Sequence, residues 1–481
     1  MYIYIPKRLT TMKRIIFFFL LAALFPATLD ARKVKGTVHC ADAALSGVIV
    51  TDGRNFTTTD ERGNFKFRID DDARFVYVVT PSGYTADFSS GAPQFYAPAQ
   101  GRKKFDFDLI RTYDTDDYTI FSVSDPQFKT PEQFDLFCGD PLEDLVEQAA
   151  WYGAYANTVG IALGDICWDN LDLLEPYKKA IVRTGIPFYA VIGNHDHDKD
   201  AEGDLACAAA FESSFGPANY AFCLGPDVVI CLDNIIYEGQ KKYVEGYADH
   251  VLAFVEGLLA YLPAGTHLYI AQHSPLYHWT NRKDIVGAGR LLKMLEPYRV
   301  DFLSGHTHYQ NNLTYTDDIV EHNAPSICGA WWDTLFCRDG APRGYEIFTH
   351  WGGELQWVMH PIDFDDDFQV EVLPIGASRF HPDAVVANVW DYDPAWTVEW
   401  YQDGVAMGPM REVQDCSPSY IDEVERVYEG KKIPASRQPK ANLHYFAADP
   451  DADAAEVTVV VTSRFGKQWR YSVDVRAQVK P

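Results

Sequence analysis

Asp125, Gln127, Asp165, Asn194, His273, His306 and His308 share one local setting: each closely follows a short apolar run. The runs and their endings are 119–124 then Asp125-Pro126-Gln127; 159–163 then Gly164-Asp165; 188–192 then Gly193-Asn194-His195-Asp196; 228–232 then Asp233-Asn234; 268–272 then His273; and 301–304 then Gly305-His306-Thr307-His308. Carboxylate, amide and imidazole groups supply the oxygen and nitrogen donors that hard and borderline divalent cations take. Taken singly, the clusters have plainer explanations. Asp and Asn populate turns and helix caps, and a lone His after a strand is commonly a satisfied core residue. His306 and His308, two apart beside Gly305, are the hardest to explain by packing.

The elements that position these residues read as strands. An apolar run of four to six residues bounded by turn-forming residues is a buried strand, and whatever follows it emerges at the sheet's carboxyl edge, where α/β sheets bind ligands. Between the runs lie helical stretches. Residues 141–157 carry Leu142, Leu145, Val146 and Ala149 at helical spacing, 173–184 stops at Gly185, and 248–262 and 283–295 are two more. Strands alternating with helices over residues 114–362 predict an α/β (α+β) domain of layered sheets flanked by helices. Residues 32–113 read as an all-β sandwich, with a turn at Gly63-Asn64 between β-rich runs. From 363 to 481 helices vanish from the pattern, and runs at 384–390, 396–401, 457–462 and 469–475 predict a second sandwich. The acidic clusters Asp363 with Asp365-Asp366-Asp367, and Asp449, Asp451 and Asp453, read as solvated loops rather than calcium sites.

With 481 residues the chain is long enough for two or three domains. Lys13-Arg14, the apolar run 15–25 and the small Ala31 beyond have the layout of a secretory leader over residues 1–31. The run is too short to span a bilayer comfortably. The expectation is an exported protein, periplasmic, on the outer surface or secreted, with no transmembrane segment in its mature form. The net charge is −26, and removing residues 1–31 makes it more negative still. Such a surface repels polyanions, so no nucleic-acid partner is expected. A small anionic substrate can still bind where metal ions dominate the local potential. Nine cysteines form no C-x-x-C pair. Cys207–Cys223 and Cys328–Cys337 are candidate bridges, with buried free thiols the plainer reading.

In order, the strand-end residues read D-x-Q, G-D-x-x-x-D, G-N-H-D, H, G-H-T-H. This resembles the calcineurin-like metallophosphoesterase family, whose pattern is D-x-H, G-D, G-N-H-[DE], H, G-H-x-H. The whole layout resembles exported bacterial members with N- and C-terminal β-domains, the first similar to the carboxypeptidase-regulatory type. The resemblance implies hydrolysis of a phosphomonoester or phosphodiester of a small molecule, sugar or lipid headgroup. It implies two divalent metal ions (Mn, Mg, Zn, Fe or Ca) and a water bridging them. Two cations about 3.5–4 Å apart neutralise charge on the phosphoryl group and lower the pKa of that water. By the same resemblance Asp165 bridges; Asp125, Gln127 and His308 complete the first site; Asn194, His273 and His306 complete the second. His195 faces the substrate without ligating, as a charge stabiliser or proton donor, held by Asp196. Gln127 departs from the family's His. Its amide oxygen is a harder donor, which favours Mg²⁺, Mn²⁺ or Ca²⁺ over Zn²⁺ and weakens the first site.

Asp169, four residues after Asp165, reads as a residue that steers a ligand or as a loop acid. Pocket walls are expected from loops between the motifs. Candidates that contact substrate are Tyr277, Asn234, Tyr309 and Trp331. Further wall candidates are Trp279, Trp332 and residues 215–222, with Arg282 and Arg290 as nearby cations. The competing reading is a degenerate phosphoesterase scaffold that binds surface glycan through its β-domains.

Overall fold

The computed structural model describes residues 31–278, 283–365 and 367–475. The leader apart from Ala31, together with Trp279, Arg282 and Asp366, lies outside the described residues. Each of the six runs forms a strand: Tyr118–Val123 (β1), Asn157–Ala162 (β2), Phe188–Ala190 (β3), Asp227–Cys231 (β4), His267–Ala271 (β5) and Arg299–Ser304 (β6). Apart from the first residues of β5 and β6, every residue in them is buried, which is why the runs read as continuously apolar.

β1, β2 and β3 run parallel in a five-stranded sheet, extended antiparallel beyond β1 by Gly344–Trp351 and Glu354–Pro361. β4, β5 and β6 run parallel in a six-stranded sheet, flanked by Tyr220–Leu224 on one side and by Ile319–Asn323 and Asn311–Thr316 on the other. Neighbouring side chains of β1 point to opposite faces. Ile120 joins a core shared with Val229, Ile230, Ile270 and Phe302 of the second sheet. Phe121 and Val123 join a core with Leu142, Leu145, Tyr177 and Ile181 from helices Asp140–Gly153 and Leu174–Ile181. The two sheets therefore pack face to face, with helices outside. The second helix tightens into a 3₁₀ turn and stops where expected, at Gly185 with φ of 70°. Helix Asp249–Leu259 matches the third prediction. The fourth is corrected: the helix is Ala288–Leu295, and Lys283–Asp284 instead pairs with Tyr277–His278. Gly287, at φ of 82°, forces the helix to begin after it.

Two four-stranded sheets form the N-terminal sandwich. The Gly63 turn joins Phe56–Thr58 to Asn64–Asp70, which belong to opposite sheets. The sandwich packs on the second central sheet, with the Phe95 ring 4.9 Å from Tyr220, and their apolar residues form one continuous core. The C-terminal region also builds two four-stranded sheets, around Val385, Val389, Trp396, Val459 and Trp469. One expectation fails there. Helix Pro418–Val427 interrupts the strands, capped by the Ser417 hydroxyl accepting from the Tyr420 amide and burying Tyr420, Ile421 and Val424. Its signals were a Ser-Pro start and a short apolar stripe, masked by charged residues between.

All nine cysteines are free, so neither candidate bridge is a disulfide. Asp363 forms a two-bond pair with Arg343 at 2.6 and 2.7 Å. Among the described residues no helix is long and apolar enough to cross a membrane.

Candidate metal centre

The carboxyl ends of β1, β2 and β3 meet those of β5 and β6. The His306 amide donates to Asp125 Oδ2 at 2.8 Å, and His273 Nδ1 donates to the Leu163 carbonyl at 2.8 Å. The motif glycines permit this approach. A Cβ on Gly305 would stand 1.8 Å from Ser124 Oγ, one on Gly193 would stand 2.2 Å from the Asp165 nitrogen, and one on Gly164 would stand 2.7 Å from His273 Nδ1. Backbone strain gathers here too. Twelve described non-glycine residues have positive φ, and eight of them are Asp125, Gln127, Asp165, Asp169, His306, His308, Trp331 and Trp332. Strain of about 1–3 kcal/mol per residue persists where surrounding structure enforces it, and it clusters at functional sites.

The donors fall into two groups. In one, Asp165 Oδ1 lies 3.3 Å from His273 Nε2, which lies 3.1 Å from both Asn194 Oδ1 and His306 Nδ1. In the other, Asp125 Oδ1, Gln127 Oε1 and His308 Nε2 are all buried without a hydrogen-bond partner, and the first and last are 3.4 Å apart. Burying a polar atom unpaired costs about 1–3 kcal/mol. Three such atoms at adjacent strand ends fit a cation held among them. Asp165 stands between the groups, with Oδ1 toward His273 and Oδ2 accepting from Gln127 Nε2 at 2.7 Å.

Each histidine of the cage has one ring nitrogen tied off. His273 Nδ1 donates to the Leu163 carbonyl, His308 Nδ1 to the Gly329 carbonyl at 3.2 Å, and His306 Nε2 to Glu245 Oε1 at 3.1 Å. These acceptors fix the proton on the outer nitrogen and leave the inner lone pair for a metal. Glu245 is buried enough to raise its pKa, but its bonds to His278 and His306 hold it well below the usual carboxylate range. Sequence reasoning missed it. It follows no motif, and a hairpin between Ile235–Gly239 and Lys242–Glu245 brings it in.

His195 is half-buried at the edge of the cage. Its ring lies 4.6 Å from that of Trp168, and Nδ1 donates to Asp169 Oδ1 at 2.8 Å. Burial alone would lower its pKa; the Asp165 charge and the Asp169 bond raise it. The expected holder, Asp196, does something else. Its carboxylate accepts from the amides of Gly193, Ile166 and Cys167 at 3.0, 3.2 and 3.1 Å, pinning the loop after β2 to the loop after β3. The Cys167 thiol donates to Asp196 Oδ1 as well, at 3.6 Å, and the carboxylate that meets the His195 ring is that of Asp169. Burial and then the Asp165 charge push Asp196 up to about 6, against those hydrogen bonds.

Three family models match the chain. N terminal of Calcineurin-like phosphoesterase covers residues 32–112, Calcineurin-like phosphoesterase covers 118–310, and C terminal of Calcineurin-like phosphoesterase covers 321–469. The chain belongs to the calcineurin-like phosphoesterase family. It is a hydrolase of phosphoric esters and depends on metal for that reaction. Similar solved structures include a dimetal phosphatase from Danio rerio, with 12% identity over 51% of this chain and 96% of that one, TM-score 0.37. Another is the purple acid phosphatase PPD1 from yellow lupin, with 11% identity over 66% and 67%, TM-score 0.38. A third is a 5'-nucleotidase from Candida albicans, with 10% identity over 52% and 53%, TM-score 0.34. No curated protein sequence matches.

The expected wall residues of this phosphoesterase divide. Trp331 stands beside the cage, stacked on His308 at 4.4 Å, with the Arg437 guanidinium 4.1 Å over its ring. Tyr277 is half-buried in the short ribbon with Asp284. Tyr309 is buried. Asn234 is fully buried, and its amide both donates to and accepts from Ser274 backbone, at 2.6 and 3.0 Å. It ties the β4 and β5 ends together and is not a substrate contact. Phe215, Tyr220 and Phe222 are core, the last stacked on Tyr189 at 3.8 Å. Arg290 pairs with Asp249 at the surface. Trp168 went unnoticed in the sequence although it sits between Asp165 and Asp169; its ring lies 6.2 Å from Trp331.

Proposed function

We propose that the chain hydrolyses a phosphate monoester or diester of a small molecule, sugar or lipid headgroup at a site for two divalent ions. The observation that carries this reading is the donor set: three buried, unpartnered atoms of Asp125, Gln127 and His308 beside the converging Asp165, Asn194, His273 and His306. When bound, the ions would neutralise the phosphoryl oxygens and acidify the attacking water.

The chain's own residues do the rest. Asp165, with Oδ1 toward His273 and Oδ2 bonded by the Gln127 amide, would hold both ions as the bridging carboxylate. His195, held through Nδ1 by Asp169, would present Nε2 to the leaving oxygen as its proton donor. Trp168 packs against the ring of that histidine and limits its swing. Trp168 and Trp331 offer aromatic surface to an apolar or cyclic leaving group.

Gln127 supports a weak first site. Its amide carries no charge, and its oxygen prefers Mg²⁺ or Mn²⁺ to Zn²⁺. Turnover of bis-p-nitrophenyl and p-nitrophenyl phosphate in Mn²⁺, Mg²⁺ and Zn²⁺ tests the reading. Hydrolysis with Mn²⁺ or Mg²⁺ and its loss in His195→Ala are expected. No turnover with any of the three metals would leave a scaffold without the reaction.

A further inference from the structure

A second cluster lies outside the cage. His197 follows the Gly-Asn-His-Asp loop, Asp233 follows β4, and Asp204 opens the short helix Asp204–Cys207. One donor atom from each lies within 4.8 Å of the others. His197 is 1% exposed. Its Nδ1 contacts the Gly193 carbonyl at 2.8 Å; a carbonyl only accepts, so the proton sits there. That leaves Nε2, which is buried, has no hydrogen-bond partner, and lies 3.7 Å from Asp233 Oδ2. The carboxylates are already held by one oxygen each: Asp233 Oδ1 accepts from the Ile235 amide at 3.0 Å and Asp204 Oδ1 from the Tyr237 amide at 2.7 Å. The Tyr237 ring, 5.0 Å from the His197 ring and nearly parallel, closes one side.

We propose that His197 Nε2, Asp204 and Asp233 bind a structural divalent cation of the zinc class, separate from the hydrolytic pair. One imidazole and two carboxylates suit a borderline ion. Two ligands about 2.1 Å from a tetrahedral ion stand about 3.4 Å apart, close to the observed 3.7 Å. Burial and then the Asp233 charge raise the pKa of Asp204, while His250 and His197 lower it; the nearby Arg74 guanidinium donates to the Leu205 carbonyl and pairs with Glu212. A divalent ion balances both acids at once. It also ties the loop that carries Asn194 and His195 to the β4 end and to the short helix.

The competing occupant is a proton, which would make His197 an imidazolium paired with Asp233. Crystals of the full chain grown with micromolar Zn²⁺ and measured at the zinc edge separate the two by position. The proposal expects an anomalous peak about 2.1 Å from His197 Nε2, distinct from any peak at Asp165. It also expects Asp204→Asn, an isosteric change at a half-buried position, to fold and to lose one equivalent of zinc per chain after dialysis. Zn²⁺ should raise its melting temperature less than it raises that of the wild type, since only the cage is left to bind. No peak at His197, or equal zinc content in wild type and Asp204→Asn, overturns the proposal. Either result is read independently of the hydrolytic metals.

Discussion

At the scale of single residues, the chemistry depends on which atom faces which. Asp169 orients His195, so Asp169→Asn should lower kcat about 10–100-fold with metal content unchanged, the usual cost of removing an outer partner. A fall of the same size in bound metal would place Asp169 among the ligands instead. Gln127→His replaces a neutral amide oxygen by imidazole beside Asp125 Oδ1 and His308 Nε2. It should tighten the first site at least tenfold and shift its preference toward Zn²⁺, read by metal content after dialysis. The ligand types were legible in the sequence because each sat at the end of an apolar run. Their orienting partners were not. Glu245 and the Gly329 carbonyl reach the site through contacts between segments far apart in sequence, and nothing local marks them, whereas Trp168 lay inside the motif between Asp165 and Asp169 with no donor atom to single it out.

At the scale of elements, strand ends and the glycines between them set the geometry. Gly305→Ala would drive a methyl group into Ser124 Oγ and Asp125 Oδ2. The expected cost is about 1–3 kcal/mol in thermal unfolding, together with weakened metal binding. At the opposite ends of the strands lies an ion cluster remote from the cage. His267, the first residue of β5, bonds Asp301 of β6 at 2.6 Å and Asp227 of β4 at 3.2 Å, and His322 bonds Asp301 at 2.9 Å. Burial would lower the His267 pKa, but the bonds to Asp227 and Asp301 override it and raise it to about 9. A raised histidine pKa stabilises the fold fully below the unfolded value of about 6.5, and that stability is lost as pH rises through about 9. Stability should therefore drop by roughly 2–3 kcal/mol between pH 6 and pH 10, and His267→Gln should flatten that slope. An unchanged slope in the variant would show that some other group carries the pH dependence. All six strands were readable because both faces are buried. Helix Pro418–Val427 was not, since its apolar stripe is only three residues.

At the scale of the molecule, both flanking β-rich regions pack against the central domain, and one of them reaches the site. The N-terminal sandwich shares a core with the second central sheet, and the C-terminal region sends Arg437 over Trp331 at the cage. The sequence pattern located both sandwiches but carried no sign of these contacts, because an Arg and a Trp about a hundred residues apart meet only once the chain has folded. Arg437→Ala should leave the metals in place and change KM more than kcat, since it touches the wall and not the reacting groups. The proposed cage takes two ions and holds them unequally, the weaker one beside Gln127. A Mn²⁺ titration of chelated, metal-free protein, with bis-p-nitrophenyl and p-nitrophenyl phosphate hydrolysis followed throughout, reads that inequality directly. Little turnover is expected after the first equivalent, and rising turnover as a second, weaker equivalent binds. Turnover that survives complete metal removal, or that is complete at one equivalent, would contradict a two-ion site.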